Sequence, residues 1–137
     1  MNKRVIFIAA VFVLFLVSSA RAGDSGIRFT NFNTPPEPRL LYPIYDTAVI
    51  SGGNPLEFRW FNDYMGIDHF ILRIYKGYNM YGSGLIYKQN IPAGESSLKI
   101  KPDLFEDGQV YTWSLIQVAL GGEKSDKSFN SFKVIKK

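Results

Sequence analysis

Leu56-Glu57-Phe58-Arg59-Trp60 is the stretch on which the fold turns. Apolar and charged residues alternate there with a period of two. That spacing places Leu56, Phe58 and Trp60 on one face and Glu57 and Arg59 on the other, the pattern of a half-buried strand. A helix would need a period near 3.6, and no segment from Gly23 onward shows one convincingly.

Working outward, the same reading recurs in short segments separated by turn residues. Seven strands are expected: Leu40–Ile44, Pro55–Phe61, Asp68–Lys76, Leu85–Lys88, Ser97–Lys101, Val110–Ala119 and Phe129–Ile135. The first is edge-like because Pro43 lacks the N–H that a central ladder requires. Between the strands lie Ser51–Asn54, Asn62–Gly66, Gly77–Gly84, Asn90–Gly94, Pro102–Gly108 and Gly121–Lys127, all rich in Gly, Pro, Asn or Asp. Evenly punctuated short strands point to an all-β sandwich or barrel. Tyr111, Trp113 and Leu115 share the inward parity of the longest strand, while in the third Phe70, Leu72 and Ile74 share one face and Ile71, Arg73 and Tyr75 the other. Trp60 and Trp113 are therefore assigned to packing. Gln117 falls on the inward parity too: if buried, its amide needs partners, and a bulge would turn Ile116 and Val118 inward instead.

The N-terminal residues concern export. Lys3 and Arg4 precede an unbroken apolar run, Val5 to Val17, and then small residues at Ala20 and Ala22. This is the order of a secretory signal peptide, and the run is too short to span a bilayer, which takes about 20 apolar residues. Cleavage is expected after Ala22, with Ala20 as the second site. The exported chain is then 137 less 22, or 115 residues, and it has no membrane span. Residues 23–39 read as an extended, Pro-rich arm ending in Thr34-Pro35-Pro36-Glu37-Pro38, and 40–137 as the sandwich. The arm is a candidate for docking on a neighbouring domain.

Charge and cysteine content narrow the function classes. The full chain holds 16 basic and 12 acidic residues. Lys3, Arg4 and Arg21 leave with the signal, so 13 basic groups face 12 acids, a net of +1. That argues against a nucleic-acid partner, which needs a clustered cationic face. The absence of cysteine rules out disulfides, thiolate metal sites and a cysteine nucleophile. Asn33-Thr34-Pro35 and Asn130-Ser131-Phe132 both miss the glycosylation spacing. The expected setting is a bacterial periplasm or the extracellular space.

Two motifs resemble a known family. Leu56 to Trp60 is similar to the second strand of fibronectin type III-like and immunoglobulin-like domains, where a core Trp lies between the sheets. Leu104-Phe105-Glu106-Asp107-Gly108-Gln109-Val110-Tyr111-Thr112-Trp113 resembles their turn into the sixth strand, with a Leu before a tyrosine corner whose hydroxyl caps a nearby backbone group. Leu40 to Pro43 resembles the Pro-rich first strand of bacterial members, and Ser128 to Val134 their last strand. The resemblance covers about Leu40 to Ile135. It implies a seven-stranded antiparallel sandwich with Phe58, Trp60, Leu104, Tyr111 and Trp113 in its core, and a habit of binding or spacing in exported proteins.

No catalytic constellation emerges. The single histidine, His69, stands beside Asp68 in a strand, where successive side chains point to opposite faces. Asp63 with Asp68, and Glu106 with Asp107, read as turn acids rather than a glycosidase pair. Asn62, Asp63 and Asp68 carry oxygens suited to calcium but lack EF-hand spacing. Gly82-Ser83-Gly84 lacks the Lys and helix of a phosphate cradle. No cofactor or metal is expected. The residue types of a binding surface appear instead at Tyr78, Asn79 and Tyr81, with Tyr64 and Tyr75 as candidate neighbours, since tyrosine offers contact area at low entropic cost. The expected function is a non-catalytic module contacting an envelope or extracellular protein. The alternatives are glycan binding and a structural role in a homo-oligomer.

Overall fold

In the computed structural model, residues 34–137 are described. The signal-peptide reading of residues 1–22 and the first part of the arm, 23–33, lie outside the described residues.

The alternation at Leu56–Trp60 does form a strand, with Leu56, Phe58 and Trp60 buried. Among the described residues eight strands are present: β1 Leu40–Tyr42, β2 Thr47–Ile50, β3 Leu56–Trp60, β4 Ile67–Lys76, β5 Leu85–Pro92, β6 Ser97–Ile100, β7 Val110–Ala119 and β8 Ser128–Lys136. They make two sheets, in the order β1-β3-β6 and β2-β8-β7-β4-β5. Their inner faces meet in one apolar core, so the chain is an all-β sandwich. Among the described residues no helix is long and apolar enough to cross a membrane.

The count and the direction of pairing correct the expected seven antiparallel strands. The extra strand is β2, and it runs parallel to β8, with Thr47 opposite Lys133 and Ile50 opposite Lys136. The cause lies between β1 and β2. Pro43 has no N–H to continue the first ladder. Tyr45 and Asp46 then take positive φ angles of 54° and 48°. The chain leaves the three-stranded sheet there and joins the edge of the other. Trp113 holds this crossing in place: its indole N–H donates to the Pro43 carbonyl at 2.7 Å in a buried site.

β5 is also informative. It pairs with β4, from His69 opposite Pro92 to Tyr75 opposite Leu85. In the constant-type immunoglobulin arrangement the corresponding strand crosses to the other sheet. Here it stays beside β4, at the edge of the five-stranded sheet.

Phe58 sits at the centre of the core. Its ring is 5.0 Å from Trp113 and 5.8 Å from Phe132, both edge-on, and 6.2 Å from Phe105. Such pairs add to the burial of the rings themselves. Phe105, not Leu104, takes the fully buried place before the corner: Phe105 is 1% exposed, whereas Leu104 is half-buried. The 3-10 turn Pro102–Leu104 rotates the chain so that the next residue points inward. Tyr111 follows, with its hydroxyl accepting a hydrogen bond from the Glu106 N–H at 2.8 Å. Tyr111→Phe removes that acceptor and is expected to cost about 1 kcal/mol. The check is a lower urea midpoint at unchanged m-value.

Gln117 keeps its inward parity at 4% exposure. Its amide donates to the Pro36 carbonyl, so the arm supplies the partner. Ser128 Oγ likewise reaches the Pro38 carbonyl and the Glu37 carboxylate. Arg39 lies 4.2 Å over the Phe61 ring, and its carbonyl accepts from the Phe61 N–H. Residues 36–39 thus lie on the sandwich itself. The strand irregularity near Gln117 falls on β4, between Ile67 and His69, and leaves β7 unbroken.

Candidate interaction surface

The β4–β5 loop, residues 77–84, is fixed at its base. Gly77 ends β4 with φ +88°, a conformation open to glycine and strained for other residues. Its N–H donates to the Val110 carbonyl at 2.8 Å, and its carbonyl accepts from Thr112 Oγ1 at 2.7 Å. Lys76 Nζ lies 2.9 Å from a Glu106 carboxylate oxygen. The hydrogen bond to Glu106 raises the lysine above its ordinary pKa. At the other end Gly84 N–H donates to the Tyr81 carbonyl at 2.9 Å, closing the 3-10 turn Gly82–Gly84.

Between these anchors the loop holds its two tyrosines in solvent. Tyr78 is 74% and Tyr81 71% exposed. Asn79 is exposed beside them. Tyr78 lines a shallow pocket of about 170 Å³ with Asp46, Val110 and Lys133. Next to Asp46 stands a third exposed ring, Tyr45, at 71%. Its N–H donates to Asn130 Oδ1 at 2.9 Å, which ties the turn to β8. Tyr45 was not among the expected residues. It falls just past the expected strand Leu40–Ile44, and the turn through Tyr45 and Asp46 carries it to this end.

Two expected neighbours are placed elsewhere. Tyr75 is 6% exposed on β4, opposite Thr112, and offers no ring to a partner. Tyr64 precedes β4, while Tyr78 follows it. A ten-residue strand separates them, and at about 3.3 Å per residue this is roughly 30 Å. Tyr64 instead joins Met65, Leu120 and Glu123 around a pocket of about 300 Å³ at the opposite end. Met65 there is 90% and Leu120 74% exposed.

The chemical candidates also separate. Asp68 and His69 do meet, with Oδ2 and Nδ1 2.6 Å apart. The irregularity between Ile67 and His69 breaks the strict alternation that would have kept them on opposite faces. Asn62 donates its amide N–H groups to the Ala93 and Glu95 carbonyls. Among the described residues no three His, Asp or Glu side chains gather as a metal site.

No family model and no curated protein matches this chain. Among solved structures it is similar to the fibronectin(III)-like modules of Clostridium thermocellum CbhA, at 13% identity and a TM-score of 0.47, over 72% of this chain and 96% of that one.

Proposed function

We propose that the chain is an exported, non-catalytic interaction module that contacts an envelope or extracellular protein through its tyrosine-bearing end. The observation that carries this reading is the exposure of Tyr78 and Tyr81, above 70% each, on a loop fixed at both ends. Such a loop has already lost much of its freedom, so little ordering cost remains on association. Tyrosine then contributes wide contact area with few rotatable bonds. Export rests on the N-terminal order of Lys3, Arg4, the Val5–Val17 run and the small residues at Ala20 and Ala22.

A glycan reading lacks the strongest stacking side chains, because both tryptophans are turned into the core at 1% and 0% exposure. The test is cross-linked capture of the tagged protein from its own cells, beside Tyr78→Ala/Tyr81→Ala. One protein held by the parent and lost by the variant is the expected result. Capture of the same protein by both forms, or of polysaccharide alone, would overturn it.

A further inference from the structure

We infer a second binding surface: the open edge of the sandwich between β5 and β6, where an extended acidic segment of a partner protein pairs with β5 and seats an apolar side chain between the sheets. It rests on different residues from the tyrosine end and stands or falls separately.

The two sides of the sandwich are unlike. On one, the chain crosses from β1 to β2 and stitches the sheets together. On the other, β5 and β6 are the outermost strands of their sheets and are not paired with each other. They are joined only by the turn that follows Pro92, and beyond it they leave a groove of about 390 Å³. Ile100 forms its floor at 5% exposure, with half-buried Tyr87 and Leu104 as walls. The remaining lining is Lys99 and Lys101, both exposed.

Three features define the occupant. First, β5 runs in unbroken register with β4 from Tyr87 to Ile91. An edge strand presents its outer row of N–H and C=O groups unpaired, so this stretch offers main-chain pairing to one more strand. Second, the groove is apolar at its floor and walls and has room for one or two apolar side chains, which gives the added strand a preferred register. Third, the rim is cationic. Neither Lys99 nor Lys101 has a carboxylate within ion-pair distance among the described residues. Glu57 stands opposite Lys99 in the ladder, and Asp103 lies two residues beyond Lys101, without closing on either. With Lys88 exposed on β5 itself, the edge favours a strand bearing acids. It disfavours a second copy of this chain, whose own β5 and rim would bring like charges, Lys88, Lys99 and Lys101, to the same edge.

The probe is a fluorescein-labelled ten-residue peptide alternating glutamate and leucine. Its controls carry lysine for glutamate, or two prolines that block strand pairing. Anisotropy should show saturable binding of the first peptide only. Lys99→Glu/Lys101→Glu should weaken it by about tenfold or more. Lys99→Gln/Lys101→Gln should fall between. Circular dichroism confirms that both variants keep the parent spectrum. Amide resonances of Tyr87–Ile91 should shift on titration while those of Tyr78–Gly84 do not. Absence of saturable binding, equal binding of the lysine peptide, or shifts confined to the tyrosine loop would each overturn the proposal. So would a peptide-independent dimer that protects the β5 amides.

Discussion

Trp113→Ala is expected to bring the domain close to unfolding at room temperature. The indole is fully buried, packs edge-on against Phe58 at 5.0 Å and donates its N–H to the Pro43 carbonyl. Emptying such a site costs about 3–5 kcal/mol through the cavity alone. Leaving the Pro43 carbonyl buried without a donor adds roughly 1 kcal/mol or more. A domain of this size is stable by about 5–15 kcal/mol in total, so the loss is a large share. The melting temperature should fall by roughly 20 °C or more. Trp60→Phe provides the contrast. Trp60 is equally buried, but among the described residues its indole nitrogen has no hydrogen-bond partner. Losing that N–H orphans no acceptor, so Trp60→Phe should cost less than Trp113→Phe. Calorimetry of the three variants checks both the size and the order of these effects.

The second large effect concerns the arm. A chain beginning at Arg39 loses the Pro36 carbonyl that satisfies Gln117 and the Pro38 and Glu37 oxygens that meet Ser128. It also uncovers the faces on which Pro35 and Pro38 are buried. At about 1 kcal/mol for each hydrogen bond, with the lost apolar cover added, the truncation should cost roughly 2–4 kcal/mol. Urea unfolding of the two chains measures it. An unchanged midpoint would mean that residues 35–38 are not bound to the sandwich and that Gln117 finds its partner in water. Gln117→Leu in the full chain is a companion measurement. It removes the amide and the need for its partner together, so it should weaken the dependence of stability on the arm.

The parts of this fold that were legible in the sequence are those encoded locally. The alternation at Leu56–Trp60 and Tyr111–Leu115, and the approach to Tyr111, each carry their signal within a few residues. β2 does not. It has only four residues, two of them inward, Ala48 and Ile50, and its pairing with β8 is parallel and distant in sequence. Only the turn at Pro43–Asp46 creates it, and backbone conformation at Tyr45 and Asp46 cannot be seen in an apolar pattern. Phe105 was hidden by a single residue of rotation in the turn before it. The seat of the arm on its own sandwich, rather than on a neighbouring domain, is not legible because its anchors, Gln117 and Ser128, stand about eighty to ninety positions away in sequence.

The candidate site divides in the same way. Tyr78, Asn79 and Tyr81 share one loop, so composition alone grouped them. Tyr64 and Tyr75 were grouped with them by proximity in sequence, which ignores the length of β4 and the burial of its outer row. Tyr45 reaches the same end through the crossing from β1 to β2. The groove beside β5 draws on β5, β6 and the 3-10 turn Pro102–Leu104, so no single stretch announces it.

The most direct test of the central claim, contact through the tyrosine-bearing end, is the cellular capture extended to a third form, Met65→Ala/Leu120→Ala. That variant trims the exposed apolar side chains of the opposite end and leaves the tyrosines in place. The predicted result is one partner protein held by the parent and by Met65→Ala/Leu120→Ala, and lost with Tyr78→Ala/Tyr81→Ala. A partner lost only when Met65 and Leu120 are changed would contradict it and move the contact to the other end of the sandwich.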